Sequence, residues 1–198
     1  MPPIVPRSWY EGRRIGLFGG SFNPPHSGHL ALANEALKRL RLDEVWWLVA
    51  RQNPLKPPGD TGDLDERMAL TRELARGPRF RVLDLERRAE AVYTADLLDA
   101  MAPALAEGLF VWLMGADSFA TLHHWRRWRG IMQTLPVAVF DRPGWTLKAL
   151  SSPAARAFRH ARLAAADAAL LPETPPPAWS FIPMRHHPES STRLRGGS

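Results

Sequence analysis

Cysteine is absent from this chain, and so are long apolar runs. Without cysteine the chain forms neither disulfide bonds nor thiolate metal sites, which is typical of proteins in reducing compartments. The longest apolar runs, VWWLVA and LFVWLMGA, are far shorter than the roughly 18 residues that indicate a membrane span. The N-terminal stretch MPPIVPRSWYEGRR lacks the apolar core of a secretory signal. We therefore expect a cytoplasmic protein with no membrane partner.

The composition is that of a globular protein with a packed core. Of its 198 residues, 45% are hydrophobic and 23% are charged, and eight are tryptophan. A chain of this length predicts a single domain over residues 1–198. The net charge of +6 favours anionic partners without defining their class. Apart from HHWRRWR at 123–129, the arginines are scattered, whereas a nucleic-acid binder usually gathers them in a stripe or tail.

Strand-like and helix-like runs alternate along the chain. The strand-like runs are RRIGLF, DEVWWLVA, RFRVLDL, LFVWLMG, PVAVF and WSFIPM. The helix-like runs are GHLALANEALKRLR, DLDERMALTRELAR, YTADLLDAMAPAL and SSPAARAFRHARLAA. Such alternation predicts an α/β fold, with a mainly parallel sheet and helices on both of its faces.

The segment GLFGGSFNPPHSGH at 16–29 joins the first strand to the first helix. Ligands of an open parallel sheet bind at the carboxyl ends of the strands, near the point where strand order reverses. Gly19 and Gly20 have no Cβ, so a phosphate can approach their backbone closely. The helix that follows offers free N–H groups and a dipole that favours an anion. His26 and His29 are three residues apart, so both can face that anion.

Other phosphate and metal motifs do not fit this segment. No Gly-Lys-Ser/Thr follows the glycines, and the G-x-G-x-x-G spacing of dinucleotide-binding turns is missing. A zinc site would need a third ligand and the general-base glutamate of a metalloprotease helix. The remaining alternative is a glycine-proline turn with two surface histidines.

GGSFNPPHSGH resembles the signature of the nucleotidyltransferases that carry an H-x-G-H motif on a Rossmann-like, doubly wound fold. In its fuller form it is similar to the bacterial nicotinate-nucleotide adenylyltransferases. Further segments resemble that family in the same order along the chain, from about residue 14 to 195. They are NPLKP, DERMAL, VYTADLL, LMGADSFATLHHW, DRPG and SSTRLR.

The resemblance implies adenylyl transfer from ATP to nicotinate mononucleotide, giving deamido-NAD and pyrophosphate in NAD biosynthesis. It implies Mg²⁺ bound through the phosphates, since this ion keeps several waters and needs few protein ligands. The catalytic residues would be His26 and His29. The ATP-binding residues would be Gly19, Gly20, Ser21, Ser190, Ser191, Thr192 and Arg195. The mononucleotide-binding residues would be Lys56, Tyr93, Thr94, Gly115, Asp117 and Trp125.

Several of these residues also have a purely structural interpretation. Asp117 follows a predicted strand, where a carboxylate can bind ribose hydroxyls or cap the next helix. Trp125 can stack on the pyridine ring or pack in the core, and Thr94 can face the ligand or cap a helix. Lys56 can bind the mononucleotide phosphate or remain solvated in its loop. The role of Arg142 in DRPG is left open.

Two alternative functions accompany the main prediction. One is an adenylyltransferase of the same fold that takes phosphopantetheine or the amide mononucleotide as acceptor. The Tyr-Thr and Gly-x-Asp segments argue against phosphopantetheine, whereas acid and amide differ by a single hydrogen-bonding group. The other is an RNA-binding domain, which predicts salt-dependent affinity and no pyrophosphate release. RNA binding leaves both histidines of the first turn unexplained.

Overall fold

The computed structural model describes residues 3–51 and 62–184. The predicted ligands Lys56, Ser190, Ser191, Thr192 and Arg195 lie outside these ranges. Within them, no helix is long and apolar enough to cross a membrane.

A seven-stranded sheet forms the centre of the described structure, in the order β3-β2-β1-β4-β5-β7-β6. Every neighbouring pair is parallel, which confirms the predicted α/β class and sharpens "mainly parallel" to entirely parallel. The strands are β1 Arg14–Gly20, β2 Glu44–Val49, β3 Phe80–Leu83, β4 Leu109–Gly115, β5 Val137–Phe140, β6 Arg162–Leu163 and β7 Trp179–Ile182.

Helices cover both faces of this sheet, so its central strands are buried on both sides. Trp46 and Trp47 are neighbours on β2, yet each is buried in a different apolar cluster, because successive side chains of a strand point to opposite faces. The α-helices are α1 Ser27–Arg39, α2 Leu64–Leu74, α3 Leu85–Arg88, α4 Thr94–Ala100, α5 Ala102–Glu107, α6 Ala116–Thr121, α7 Trp128–Thr134, α8 Thr146–Leu150 and α9 Pro153–Ala157.

Two of the predicted helices are interrupted in the structure. The run YTADLLDAMAPAL divides into α4 and α5 at Met101, two residues before Pro103, whose ring and missing N–H disfavour a continuous helix. The run SSPAARAFRHARLAA begins as predicted, with the Ser152 hydroxyl accepting a hydrogen bond from the Ala155 N–H. It ends at Phe158, whose carbonyl accepts a hydrogen bond from the Trp179 indole. The chain then enters β6 at the edge of the sheet, a strand that the sequence did not predict.

Strand order reverses beside β1. The chain moves from β1 outward to β2 and β3, then returns to place β4 on the other side of β1. In doubly wound sheets a crevice forms at the carboxyl ends of the two strands that flank such a reversal. The loops after β1 and β4 are therefore the expected place for a ligand, and the loop after β5 lies next to them.

Candidate active site

The loops after β1, β4 and β5 bring together three groups at the carboxyl edge of the sheet. The loop after β1 ends at His26 and leads into α1 with His29 in its first turn, β4 is followed by Asp117, and β5 is followed by Arg142. The Arg142 Nε lies 3.3 Å from Asp117 Oδ1. The charge of Arg142 also lowers the pKa of His29, so charged groups of these three segments interact with one another.

The two histidines stack at the N-terminus of α1. Their ring centroids are 3.7 Å apart with 30° between the planes, and the His26 N–H donates to His29 Nδ1 at 3.2 Å. His26 occupies the N-cap with an extended backbone, so α1 begins at Ser27, one residue before the predicted start. Only 4% of His26 is exposed, so the alternative of two surface histidines does not fit.

Electrostatics keep His29 neutral at physiological pH. Burial lowers its pKa well below the ordinary 6.5, and the neighbouring His26 and the Arg142 cation lower it further. Because Nδ1 accepts a hydrogen bond from the backbone, the single proton of the neutral ring is assigned to Nε2. His29 therefore offers a neutral N–H donor in the first turn of α1.

Gly19 and Gly20, predicted to lie in the turn, are the last two residues of β1, and they have a packing role that the sequence did not predict. A Cβ on Gly19 would lie 2.6 Å from Cζ2 of Trp112, and a Cβ on Gly20 would lie 3.0 Å from Cζ of Phe22. Both positions therefore make room for aromatic rings, whether or not a phosphate also approaches them. Their predicted contacts with ATP stay predictions.

Gly115 leaves room for the pair formed by Asp117 and Arg142. A Cβ at Gly115 would lie 2.4 Å from Asp117 Oδ1 and 2.5 Å from Arg142 Nε, so even alanine would displace the pair. Gly115 is the N-cap of α6, and Asp117 is the second residue of that helix. The interpretation of Asp117 as the helix cap is therefore wrong. Its carboxylate is instead held by Arg142 at the carboxyl edge.

Tyr93 and Thr94 begin α4. Tyr93 is the N-cap and Thr94 is the first helical residue, so the interpretation of Thr94 as the cap is wrong. Trp125 follows α6 and is partly buried against the apolar cluster on that face of the sheet, so packing accounts for part of its ring. Stacking of the ring on a ligand stays a prediction.

Two arginines after Trp125 tie its segment to α4. The Arg126 guanidinium lies 5.0 Å above the centroid of the Tyr93 ring. Arg127, in a left-handed conformation with φ of 52°, places Nη2 2.8 Å from Asp96 and 2.7 Å from Asp99. The structure thus brings together the two segments that were predicted to form the mononucleotide pocket.

Three residues near the candidate site, Arg142, Arg67 and Glu86, were not assigned a position there from the sequence. Arg142 could have been found as the charged residue that follows predicted strand PVAVF. Arg67 and Glu86 are buried to 2% and 8% exposure, but within their segments they look like ordinary helix surface charges. The only signal was that Arg67 in DERMAL lies four residues before the buried Thr71, and so on the same face of the helix.

Glu86 carries a strongly perturbed carboxyl group. Burial raises its pKa from 4.5 to about 7, against the opposing effects of the Arg51 N–H and of the Arg51 and Arg67 charges. The Arg51 N–H donates to Glu86 Oε2 at 2.8 Å. Burial also lowers the pKa of Arg67 from its ordinary value, although Asp63 and Glu86 oppose this.

Residues 17–197 match the model of the cytidylyltransferase-like family, and the chain belongs to this family of nucleotidyltransferases. Its relatives narrow the assignment. The chain is 50% identical over 188 residues to the probable nicotinate-nucleotide adenylyltransferase of Parvibaculum lavamentivorans, covering 94% of each chain. It is 52% identical over 182 residues to a protein of the same name from Methylorubrum extorquens, covering 92% of this chain and 98% of the relative. Within the family, it therefore belongs to the bacterial nicotinate-nucleotide adenylyltransferases, as the resemblance predicted.

A solved structure shares the fold at much lower identity. Plasmodium falciparum nicotinic acid mononucleotide adenylyltransferase, complexed with NaAD, matches with a TM-score of 0.68 at 16% identity. The match covers 93% of this chain and 83% of that chain. This likeness supports the Rossmann-like architecture independently of the sequence relatives.

Proposed function

We propose that this protein transfers the adenylyl group of ATP to nicotinate mononucleotide, releasing pyrophosphate and forming deamido-NAD in NAD biosynthesis. The observation that carries the proposal is identity of about one half, over more than nine tenths of the chain, to relatives named for this activity. The stacked histidines at the reversal of strand order support it, because adenylyl transfer needs donors beside a phosphate. In this proposal the whole chain forms one nucleotidyltransferase domain.

The reaction makes modest demands on acid–base chemistry. A phosphate oxygen of the mononucleotide attacks the α-phosphorus of ATP, the bond from that phosphorus to the bridging oxygen breaks, and pyrophosphate leaves with the electron pair. The nucleophile is already an anion, so no strong general base is needed. Well-oriented reactants can supply roughly 7–11 kcal/mol of the barrier reduction. The chain therefore acts chiefly through positioning and charge neutralisation.

His29 stabilises the charge that develops on the α-phosphate oxygens. Its lowered pKa keeps the imidazole neutral, and the Nε2–H donates without exchanging a proton. Arg142 supplies the positive charge next to that donor. Fixed donors and charges in a partly buried site need no rearrangement as the reaction proceeds, which is the most effective form of electrostatic catalysis.

ATP lies along the turn between β1 and α1. Backbone groups near Gly20 and Ser21, together with the N-terminus of the 13-residue helix α1, face its phosphates. His26 lies at that helix end and supports His29 through its backbone N–H. Ser190, Ser191, Thr192 and Arg195 complete the predicted triphosphate site by hydroxyl donors and charge.

The mononucleotide lies between β4 and α4. Asp117 accepts hydrogen bonds from its ribose hydroxyls while Arg142 holds the carboxylate in place. Tyr93 and Thr94 shape the pocket for the nicotinate carboxylate, and the exposed part of Trp125 stacks on the pyridine ring. Gly115 keeps the pocket floor open for this arrangement. Lys56 is the predicted partner of the mononucleotide phosphate.

Mg²⁺ accompanies ATP in this proposal, bound by phosphate oxygens and water, and it supplies further neutralisation of the triphosphate. Among the residues that the structure describes, no group of three or more His, Cys, Asp or Glu side chains is placed to hold a metal ion. No described side chain is therefore assigned to the ion. We place the enzyme in the cytoplasm.

The proposal is tested by pyrophosphate release from ATP and Mg²⁺ with three acceptors in parallel. These are nicotinate mononucleotide, the amide mononucleotide and phosphopantetheine. Release is expected to be fastest with nicotinate mononucleotide. Preference for either other acceptor would contradict the assigned substrate but keep the chemistry. No release with any of them, together with salt-dependent RNA binding, would contradict adenylyl transfer itself.

A further inference from the structure

Arg67 holds together three chain segments around the nucleotide turn. Its guanidinium donates to the carbonyls of Ser21 and Ala50 at 2.7 Å, Gly62 at 2.8 Å and Arg51 at 3.0 Å. These carbonyls belong to the β1–α1 turn, to the end of β2 and to the start of α2. Its N–H groups are directed at four backbone oxygens, and the residue is only 2% exposed.

The position of Arg67 follows from where the β1–β2 ladder ends. The last rung is the bond from the Ala50 N–H to the Gly20 carbonyl, at 2.9 Å. Beyond it the two strands diverge, and the carbonyls of Ser21, Ala50 and Arg51 need other donors in this partly buried region. Arg67 supplies those donors, so one side chain continues the connection between the two strands.

Phe22, directly after Ser21, has an unusual backbone conformation. Its φ is +43°, in the left-handed region that aromatic residues rarely adopt. Such a conformation costs about 1–3 kcal/mol and persists only where neighbouring contacts impose it. Arg67 fixes the carbonyl on the preceding residue, and Phe22 itself is buried to 2% exposure against Phe18 and Trp47.

The Phe22 ring connects this constrained backbone to the site, because it contacts the His29 imidazole. The two rings meet edge to face, with centroids 5.0 Å apart and 78° between their planes. Phe22 thus forms one wall against the imidazole, and the stacked His26 ring forms another. A change in the Phe22 backbone would move the wall and change the burial that keeps His29 neutral.

Glu86 contacts the segment after β2 that Arg67 also binds. Its carboxylate accepts the Arg51 N–H, while Arg67 takes the Arg51 carbonyl, so both peptide groups of that residue are held. Gly62 lies against the turn as well, since a Cβ there would be 3.3 Å from Asn23 Oδ1. One acceptor of Arg67, Ser21, therefore belongs to the turn and another, Gly62, lies against it, so the contacts of Arg67 are not confined to its own helix.

We infer that Arg67 is a positioning residue for adenylyl transfer, which acts through the Ser21 carbonyl and Phe22 to set the orientation and burial of the His29 imidazole. The inference rests on the proposed function for its kinetic consequence and on the geometry alone for its effect on His29. Arg67 lies behind the turn and acts through other residues. Loss of its hydrogen bonds should therefore slow the chemical step more than it weakens acceptor binding.

The test is Arg67→Lys, which keeps the charge but cannot reach all three segments with one ammonium group. Because small misplacement of a catalytic group can cost on the order of 100-fold, kcat should fall about 10- to 100-fold. The KM for nicotinate mononucleotide should change less than about twofold. The matched control is Arg72→Lys on the exposed face of the same helix, which should leave kcat and KM unchanged.

A second readout does not depend on activity. The imidazole signals of His29, assigned by comparison with His29→Ala, can be titrated by NMR in both lysine variants. In Arg67→Lys the pKa of His29 should rise toward 6.5, because the Phe22 wall loosens and burial decreases. In Arg72→Lys it should stay at the wild-type value. Should the wild type prove inactive with every acceptor, the proposed function fails, while this titration still decides the inference.

Two results would overturn the inference. One is a folded Arg67→Lys protein with wild-type kcat and His29 titration, whatever its melting temperature, since a purely structural arginine would behave in that way. The other is a Phe22→Leu protein with unchanged kcat and an unchanged pKa of His29, since the inference requires that this variant lower kcat and raise that pKa. Phe22→Leu leaves the hydrogen bonds of Arg67 in place, and it is the test to use if Arg67→Lys does not fold.

Discussion

Each end of the sheet buries a glutamate, and the pKa of the two carboxyl groups shifts in opposite directions. At the amino end, Glu44 is 6% exposed and is surrounded by donors: the Arg13 guanidinium, Arg81 Nε at 3.1 Å and the Trp46 indole N–H at 3.0 Å. Burial would raise the pKa of Glu44, but the hydrogen bonds from Arg81 and Trp46 and the two arginine charges lower it below its ordinary value.

At the carboxyl end, Glu86 is nearly as buried at 8% exposure, but it has fewer hydrogen-bond donors to offset the cost of burying its charge. It accepts one backbone N–H, and its pKa rises to about 7. The same end holds His29, whose pKa is lowered. Opposed perturbations in one region are typical of functional sites, whereas a fully paired carboxylate is typical of structural ones. The contrast separates the end of the sheet that stabilises the fold from the end that carries the chemistry.

The largest expected effect concerns the amino end. Glu44→Ala leaves the buried Trp46 indole N–H and the partly buried Arg81 without their acceptor, together with the exposed Arg13, and should lower the free energy of unfolding by about 3–5 kcal/mol. Chemical denaturation measures it. The control is Glu73→Ala, which removes an exposed pair with Arg76 and should cost less than about 1 kcal/mol. A loss of kcat in the folded Glu44→Ala protein would break the separation between the two ends.

The next effect concerns the carboxyl end. His29→Ala should lower kcat by about 10²–10³-fold, since it removes a fixed donor from the developing charge. The melting temperature should change little, because the packing of Phe22 against Phe18 and Trp47 does not depend on the imidazole. Steady-state kinetics and a thermal melt measure both quantities, with His160→Ala at an exposed position as the control. Wild-type turnover in His29→Ala would refute its catalytic role.

The pH dependence of stability sharpens the comparison further. A carboxyl with pKa about 7 in the folded protein and about 4.5 in the unfolded chain destabilises the fold only when it ionises. Its contribution is neutral below pH 4.5 and increasingly unfavourable up to about pH 7, by on the order of 3 kcal/mol. Glu86→Gln keeps an acceptor for the Arg51 N–H and removes this loss. Its stability relative to wild type should therefore rise over that window, and a constant difference would mean that Glu86 ionises normally.

The smallest expected effect distinguishes two interpretations of Trp125. If its ring stacks on the acceptor, Trp125→Ala should raise the KM for nicotinate mononucleotide about tenfold and leave the protein folded. The KM for ATP should not change, which serves as the internal control. Should the protein unfold instead, core packing accounts for the ring, and the acceptor pocket needs a different wall.

The fold was largely predictable because its central strands are continuous apolar runs. Such runs form wherever helices cover both faces of a sheet, so DEVWWLVA and LFVWLMG identify β2 and β4 directly. The strand β6 was not predicted because it consists of only two residues, Arg162 and Leu163, at the sheet edge. No sequence pattern of that length is distinctive. The break between α4 and α5 was signalled by Pro103 and could have been predicted.

The site was predictable only where chemistry is concentrated in one short segment. His26 and His29 lie within one turn, so their spacing alone brings them together. Arg67 acts on Ser21 from 46 positions away, and Arg142 meets Asp117 across two strands. Local patterns do not report such distant contacts. The glycine Gly19 illustrates the same limit, since the ring that requires it belongs to Trp112 on a different strand.

The hydrogen bond from the His26 backbone to His29 Nδ1 has a consequence for the direction of the reaction. In the proposed mechanism it leaves His29 with an Nε2 proton that is donated in a hydrogen bond and is not transferred, so the ring is unchanged after each turnover. The same donor then serves the reverse reaction, in which pyrophosphate attacks the dinucleotide product. The site therefore accelerates both directions by the same factor, and the concentrations of substrates and products set the net direction.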